Sequence, residues 1–177
     1  FLKGKVKKYK VHNFEKEHII YVANTGELIG YNAVLSLEPY PDSATALEES
    51  ILLFIPKEDF LNMLERSPIL SARLLKMLSH EFTVLSNSIT ICAQRPVRER
   101  LAITLIVLRE KFKKGTAEGQ PVMINLSRED IANMEGNTRE NVVRLLREFK
   151  NDQLIESQGR RIQIKDIKKM IAVSNYQ

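Results

Sequence analysis

From Pro68 to Gln94 the chain runs without a glycine, and without a proline after the first position. A stretch of that length with no breaker reads as one continuous helix of about 40 Å, with Pro68 in its first turn, where the missing N–H is not needed. Leu75, Leu78, Phe82, Leu85, Ile89 and Cys92 recur there at alternating steps of three and four, which is the a/d seam of a coiled coil. A second apolar stripe, Leu74, Met77, Val84 and Ile91, lies beside it. A helix with two apolar faces needs two surfaces to bury against. One reading seats the seam on a twin subunit and the second stripe on the chain's own domain. The other makes the segment an amphipathic core helix inside a single chain. Pattern alone leaves both open.

Ahead of that helix the texture is β. Val6 to Val11, Ile19 to Val22, Glu27 to Ile29 between Gly26 and Gly30, Ala44 to Leu47, and Ile51 to Ile55 read as short strands broken by turn residues, the spacing of a sandwich or barrel. The proline-punctuated loop from Leu37 to Asp42 belongs on the surface, and residues 58–64 have helical spacing. The chain opens on Phe1, just ahead of the first strand-like run, so the natural N-terminus is expected to lie upstream. The longest apolar run, Ile51 to Pro56, is far short of the roughly 20 residues of a membrane helix, so no membrane partner is expected. Cys92 is the single cysteine, and no cluster has zinc or iron–sulfur spacing, which fits a reducing cytoplasm with no metal. His12, His18 and His80 lack ligand spacing and read as ordinary polar positions.

Ala93-Gln94-Arg95-Pro96 reads as a hinge, with Pro96 in the first turn of a helix reaching about Phe112. A glycine-containing loop and a short strand within Val122 to Leu126 lead into a compact motif. Ser127 with Asp130 has capping-box spacing, and Ile131 and Ala132 begin an apolar face. Glu135-Gly136-Asn137 supplies a tight turn, and Asn137 with Glu140 repeats the cap pattern for a second helix. Two helices across so short a turn make a helix-turn-helix candidate. In the second, Val142, Leu145, Leu146 and Phe149 form one face, with Glu140, Arg144 and Arg147 opposite and Arg139 on the flank at the start. Such a helix can enter the major groove, where an arginine fork matches guanine O6 and N7 and a glutamate accepts from cytosine N4. Leu154 to Ile164 reads as a hairpin with Gly159, Arg160 and Arg161 at its tip, a wing able to meet phosphate. Net charge is only +5, and residues 125–177 hold ten basic against eight acidic side chains, so affinity must come from placement rather than bulk charge.

These motifs resemble the Crp/Fnr family of bacterial transcription regulators. The residues that carry the likeness are Ser127-Arg128-Glu129-Asp130-Ile131-Ala132, then Gly136-Asn137-Thr138-Arg139-Glu140-Asn141-Val142-Val143-Arg144-Leu145-Leu146, then Gly159-Arg160-Arg161-Ile162. Leu2 to Val6, Gly26 to Gly30, Ser43-Ala44 and Pro96 to Ala102 follow the family's order as well. The resemblance implies an α+β chain with three parts. They are a cyclic-nucleotide-binding-like β jelly roll over 1–67, incomplete and serving as effector sensor, a dimerisation helix and hinge over 68–95, and a winged helix-turn-helix over 96–177. It implies no enzyme activity but a homodimer on double-stranded DNA with inverted-repeat half-sites like TGTGA, and RNA polymerase as a further partner. Arg139, Glu140 and Arg144 would read bases. Ser127, Arg128, Thr138, Asn141, Arg147, Arg160 and Arg161 would anchor phosphates, and Leu75, Leu78, Phe82, Leu85, Ile89 and Cys92 would form the dimer seam. The Fnr branch has a serine just before the last reading arginine; Val143 stands there, as suits the catabolite-activator branch.

The effector pocket implied by the resemblance falls on Gly30, Tyr31, Asp42, Ser43 and Ala44, with Leu85 and Ser86 from the long helix. Cyclic-AMP-binding relatives hold the ribose with a carboxylate where Tyr31 stands, and the phosphate with an arginine where Asp42 stands. An aspartate there faces the phosphate with like charge. Cyclic AMP is therefore not expected to bind through the usual contacts, and the effector is an unknown small molecule. The reading of another class is a ligand-sensing module that acts through protein partners without useful DNA affinity.

Overall fold

The computed structural model describes residues 1–12 and 16–175, the side chains of 12 and 16 excepted; the His12 side chain thus lies outside the described residues. The chain divides into two compact units, residues 1–52 together with 96–177, and residues 53–95.

In the first unit, β1 (Val6–His12) lies between β2 (Lys16–Ala23) and β3 (Ser43–Ala46), antiparallel to both. Val6 pairs with Ala23 on one side and Ala46 on the other, and Val6, Ile19, Val22 and Ala23 are buried. Two expected strands do not form. Residues 27–29 are a loop into a short helix, α1 (Tyr31–Ser36). There the Glu27 carboxylate gathers the Tyr21 hydroxyl at 2.6 Å, the Asn24 N–H at 3.1 Å and the Lys111 ammonium at 3.0 Å, and these contacts take the place of a ladder. Of the run 51–55, only Ile51 pairs among the described residues, by a single bridge to Lys3.

The rest of this unit is α4 (Val97–Lys113), β4 (Ile124–Asn125), α5 (Arg128–Glu135), α6 (Arg139–Asn151), the hairpin of β5 (Ile155–Gln158) and β6 (Arg161–Ile164), and α7 (Ile167–Ser174), which the sequence reading had not assigned. Pro96 is the residue before α4 rather than inside its first turn. Leu101, Leu105 and Leu108 of α4 meet Ile131 of α5, Val142, Leu145 and Phe149 of α6, Ile155 and Ile162 of the hairpin and Met170 of α7 in one core, which Val22 of β2 joins.

The second unit holds α2 (Lys57–Arg66) and α3 (Pro68–Gln94). Ser67 caps α3 by accepting from the Leu70 N–H at 3.2 Å, and Pro68 follows in the first turn as expected. α3 contains no buried residue: along the seam Leu75, Phe82, Leu85 and Ile89 are 65%, 73%, 60% and 64% exposed. In the second stripe Val84 is exposed and Leu74, Met77 and Ile91 are half-buried.

Candidate nucleic-acid interface

α5 begins on a reciprocal cap. The Ser127 hydroxyl accepts from the Asp130 N–H at 2.9 Å, and the Asp130 carboxylate accepts in return from the Ser127 N–H at 3.3 Å. The helix ends on Gly136 at φ 60°, a left-handed conformation that a side chain would strain. α6 then starts one residue later than its sequence suggests. The capping side chain is Thr138, which accepts from the Asn141 N–H at 3.3 Å, while Asn137 accepts from the Thr138 N–H at 2.8 Å and the Asn141 amide at 3.0 Å. The asparagine stabilises the turn itself, and the threonine takes the cap.

Beyond the cap, Val142, Leu145, Leu146 and Phe149 are buried and Arg139, Glu140, Arg144 and Arg147 are exposed. The three base-reading candidates thus share the solvent face of one helix. Gly159, at φ 54°, turns the hairpin with Arg160 and Arg161 exposed beside it. The start of α5, the start of α6 and the hairpin tip converge on an open pocket of about 400 Å³ lined by Ser127, Arg128, Glu129, Arg139, Gly159 and Arg160. Three guanidiniums against one carboxylate, set at a helix N-terminus, suit a phosphate. Burial lowers the Arg128 pKa from its ordinary value, and its Nη1 is buried without a hydrogen-bond partner. Thr138, Asn141 and Arg147 lie outside this pocket, Thr138 and Asn141 in the cap network and Arg147 on the open face of α6.

Sequence reasoning missed what lies behind the helices. Lys7 of β1 reaches the Asp130 carboxylate at 3.0 Å and also pairs with Glu17. Burial would raise the Asp130 carboxyl, but hydrogen bonds from Ser127 and Lys7 outweigh it and hold it below its ordinary value. His18 Nδ1 lies 3.0 Å from the Asn133 carbonyl, and the Asn24 amide donates to the Lys111 carbonyl at 2.7 Å. Glu135, at the end of α5, is raised by burial despite contacts from Thr104 and Arg100. These pairs join positions far apart in sequence, so no local pattern announces them.

The effector-pocket residues present a mixed picture. Gly30 takes φ 79° ahead of α1, Tyr31 is buried, and Ser43 and Ala44 are exposed on β3. Asp42 is not a bare charge: Lys8 lies 3.0 Å from one carboxylate oxygen and Lys10 3.9 Å from the other. The like-charge objection to a bound phosphate is weakened, whereas the missing arginine and ribose carboxylate remain. Leu85 and Ser86 stand on α3 in the other unit, both exposed. Among the described residues no group of three or more His, Cys, Asp or Glu is arranged to hold a metal, and no helix is long and apolar enough to cross a membrane.

Residues 1–67 match the cyclic nucleotide-binding domain and residues 99–173 the Crp-like helix-turn-helix domain. The chain is 25% identical over 171 residues to an anaerobic regulatory protein of Aggregatibacter actinomycetemcomitans, covering 97% of this chain and 66% of that one. It is 27% identical over 174 residues to the transcriptional activator protein anr of Pseudomonas aeruginosa, covering 98% and 71%. A solved transcriptional regulator of the CRP/FNR family from Thermus thermophilus superposes with a TM-score of 0.80 at 21% identity, covering 99% of this chain and 86% of that one, a likeness of fold. The chain spans about two thirds of the length of the curated relatives it matches.

Proposed function

The chain belongs to the Crp/Fnr family of transcription regulators, and from that premise we propose that it regulates transcription by binding operator DNA as a homodimer, each subunit laying α6 in a major groove. The observation that carries this is the shared exposed face of Arg139, Glu140 and Arg144, with the arginine-lined pocket of Arg128, Arg139 and Arg160 beside it. Arg139 and Arg144 pair with guanines, Glu140 accepts from a cytosine, and the pocket and wing take phosphates. The seam of α3 from Leu75 to Cys92, exposed except for the half-buried Leu78, is the surface that a second copy covers. Residues 1–67 act as sensor, 68–95 as dimer helix and hinge, and 96–177 as reading head. RNA polymerase is a further partner. The curated relatives named above are an anaerobic regulatory protein and a transcriptional activator; Val143 beside Arg144 favours half-sites like TGTGA over those of the Fnr branch.

Selection from a random DNA library tests the reading. An inverted repeat with half-sites about one helical turn, roughly 34 Å, apart supports it. Recovery of no palindrome would refute it and favour a sensor that works through protein partners. The effector is a small molecule other than cyclic AMP: without the phosphate-binding arginine and the ribose carboxylate, isothermal titration with cyclic AMP should give millimolar affinity or weaker, on the order of 3–5 kcal/mol short of a micromolar site.

A further inference from the structure

Two placements on α6 run against the helix's own stability. Glu148 stands in the last turn, where the macrodipole disfavours a carboxylate. Its partner Arg144 lies four residues N-terminal to it, the weaker orientation for such a pair. An exposed pair so arranged adds little to the fold. What it does is hold a side chain. Arg144 Nη1 donates to Glu148 and Nη2 donates to the Asn141 side-chain oxygen at 2.7 Å. Both partners are themselves held. The Asn141 amide donates to Asn137 at 3.0 Å in the turn before the helix. On the other side the Arg98 guanidinium of α4 lies 3.8 Å from the second Glu148 oxygen, donates to Asp152 at 2.8 Å, and sits 5.2 Å from the Phe149 ring centre.

We propose that Asn141 and Glu148 are positioning residues for sequence recognition: they hold the Arg144 guanidinium between them as a fixed fork, with Arg98 anchoring Glu148 from α4. This rests on the reading of Arg144 as a base-reading residue, and it moves Asn141 from phosphate anchoring to arginine positioning. The donor arithmetic permits it. A guanidinium has five N–H donors, two are spent on these partners, and a bidentate guanine contact needs two more. A long arginine side chain otherwise loses considerable rotamer freedom on binding, so a fork already ordered in the free protein spends less of its contact on being ordered. Glu148 brings a negative charge near DNA, which costs affinity for every sequence alike; its return is discrimination.

The test uses the duplex that the wild-type protein selects from a random library, together with the same duplex changed at each half-site base pair in turn, against wild type, Arg144→Ala, Glu148→Ala, Glu148→Gln, Asn141→Ala and the doubles with Arg144→Ala. Glu148→Ala and Asn141→Ala should each lower discrimination roughly three- to tenfold at the base pair that Arg144→Ala relaxes and at no other, and add nothing in the Arg144→Ala background. Glu148→Gln, which keeps an acceptor oxygen, should hold discrimination within about threefold of wild type. Thermal melting of each variant checks that α6 persists. If Arg144→Ala relaxes one base pair while Glu148→Ala and Asn141→Ala shift all duplexes equally, positioning is refuted and base reading stands. If no duplex is selected, or Arg144→Ala relaxes none, the base-reading assignment fails and the proposal with it.

Discussion

The apolar stripe of α6 and the apolar seam of α3 look alike as sequence and differ as structure. Val142, Leu145, Leu146 and Phe149 are at most 4% exposed, whereas Leu75, Phe82, Leu85 and Ile89 are at least 60% exposed. Helical periodicity says that a face will be buried and not by what. α6 finds its partners within the chain, in α4, α5 and the hairpin. α3 repeats at a heptad spacing that suits a matching helix, and within its own unit that seam holds no buried residue. Burial of the α6 stripe is thus a property of the fold, and in the proposed homodimer burial of the α3 seam would be a property of assembly.

The largest effects should fall on opposite measurements. Phe149→Ala opens a cavity at the centre of the winged-helix core and should cost about 3–5 kcal/mol of unfolding free energy, read by urea denaturation. In dilute protein below its association concentration, Phe82→Ala should change the same quantity by no more than about 0.5 kcal/mol. Leu78→Lys with Leu85→Lys should reverse the pattern. Secondary structure by circular dichroism stays, while sedimentation shows monomers, because burying lysine in a dry seam costs on the order of several kcal/mol. A dimer that survives both lysines, or a dilute monomer that Phe82→Ala destabilises as Phe149→Ala does, would erase the distinction.

Within the reading head the contrast is between base and backbone. Arg139→Ala should cost about 1–3 kcal/mol and relax one base pair per half-site, and Arg160→Ala should weaken all sequences alike and reduce the salt slope by about one. Arg160 lies on the wing tip beside the arginine-lined pocket, and Arg139 opens α6 on its edge. Base-specific loss from Arg160→Ala would exchange the two roles.

Legibility followed the range of the interaction. The caps, the Gly136 turn, the buried face of α6 and the wing were readable because each is decided within about one helical turn or one hairpin. The strand expected at 27–29 went the other way and does not form, since Glu27 answers to Lys111, a partner 84 residues distant. The surroundings of Asp42 were hidden for the same reason: Lys8, which pairs with it, comes from β1, far off in sequence. The shift from Asn137 to Thr138 as cap was local yet undecidable, because two adjacent residues of capping type compete and the turn geometry chooses.

The smallest effect probes one of the contacts that tie the three-stranded sheet to the helix-turn-helix, beside those of His18, Asn24 and Val22. Asp130 sits between Ser127 and Lys7, with Arg160 at 3.9 Å, and its carboxyl is held below the ordinary value although burial alone would raise it. In the unfolded chain it returns to about 3.9. Between those two values the unfolded state binds more protons, so this stabilisation is fully present above about pH 4 and drains away as pH falls through the folded value. Lys7, raised by Glu17 and Asp130 against its own burial, contributes with the opposite sign: it stabilises fully below about pH 10.4 and loses that contribution as pH rises through its higher folded value. Glu135, raised by burial, makes the folded state relatively more stable as pH falls toward about 4.3, and so opposes Asp130 in the acid range. Comparing wild type with Asp130→Asn removes that interference, because Glu135 is common to both. At pH 7 the variant should be less stable by on the order of 1 kcal/mol, and the gap should narrow as the wild-type carboxyl protonates on acidification. Lys7→Met should show a gap at pH 7 that narrows in the same acid range, since it removes the same pair from the other side. A gap independent of pH in both variants would mean that Lys7 and Asp130 are not paired in solution.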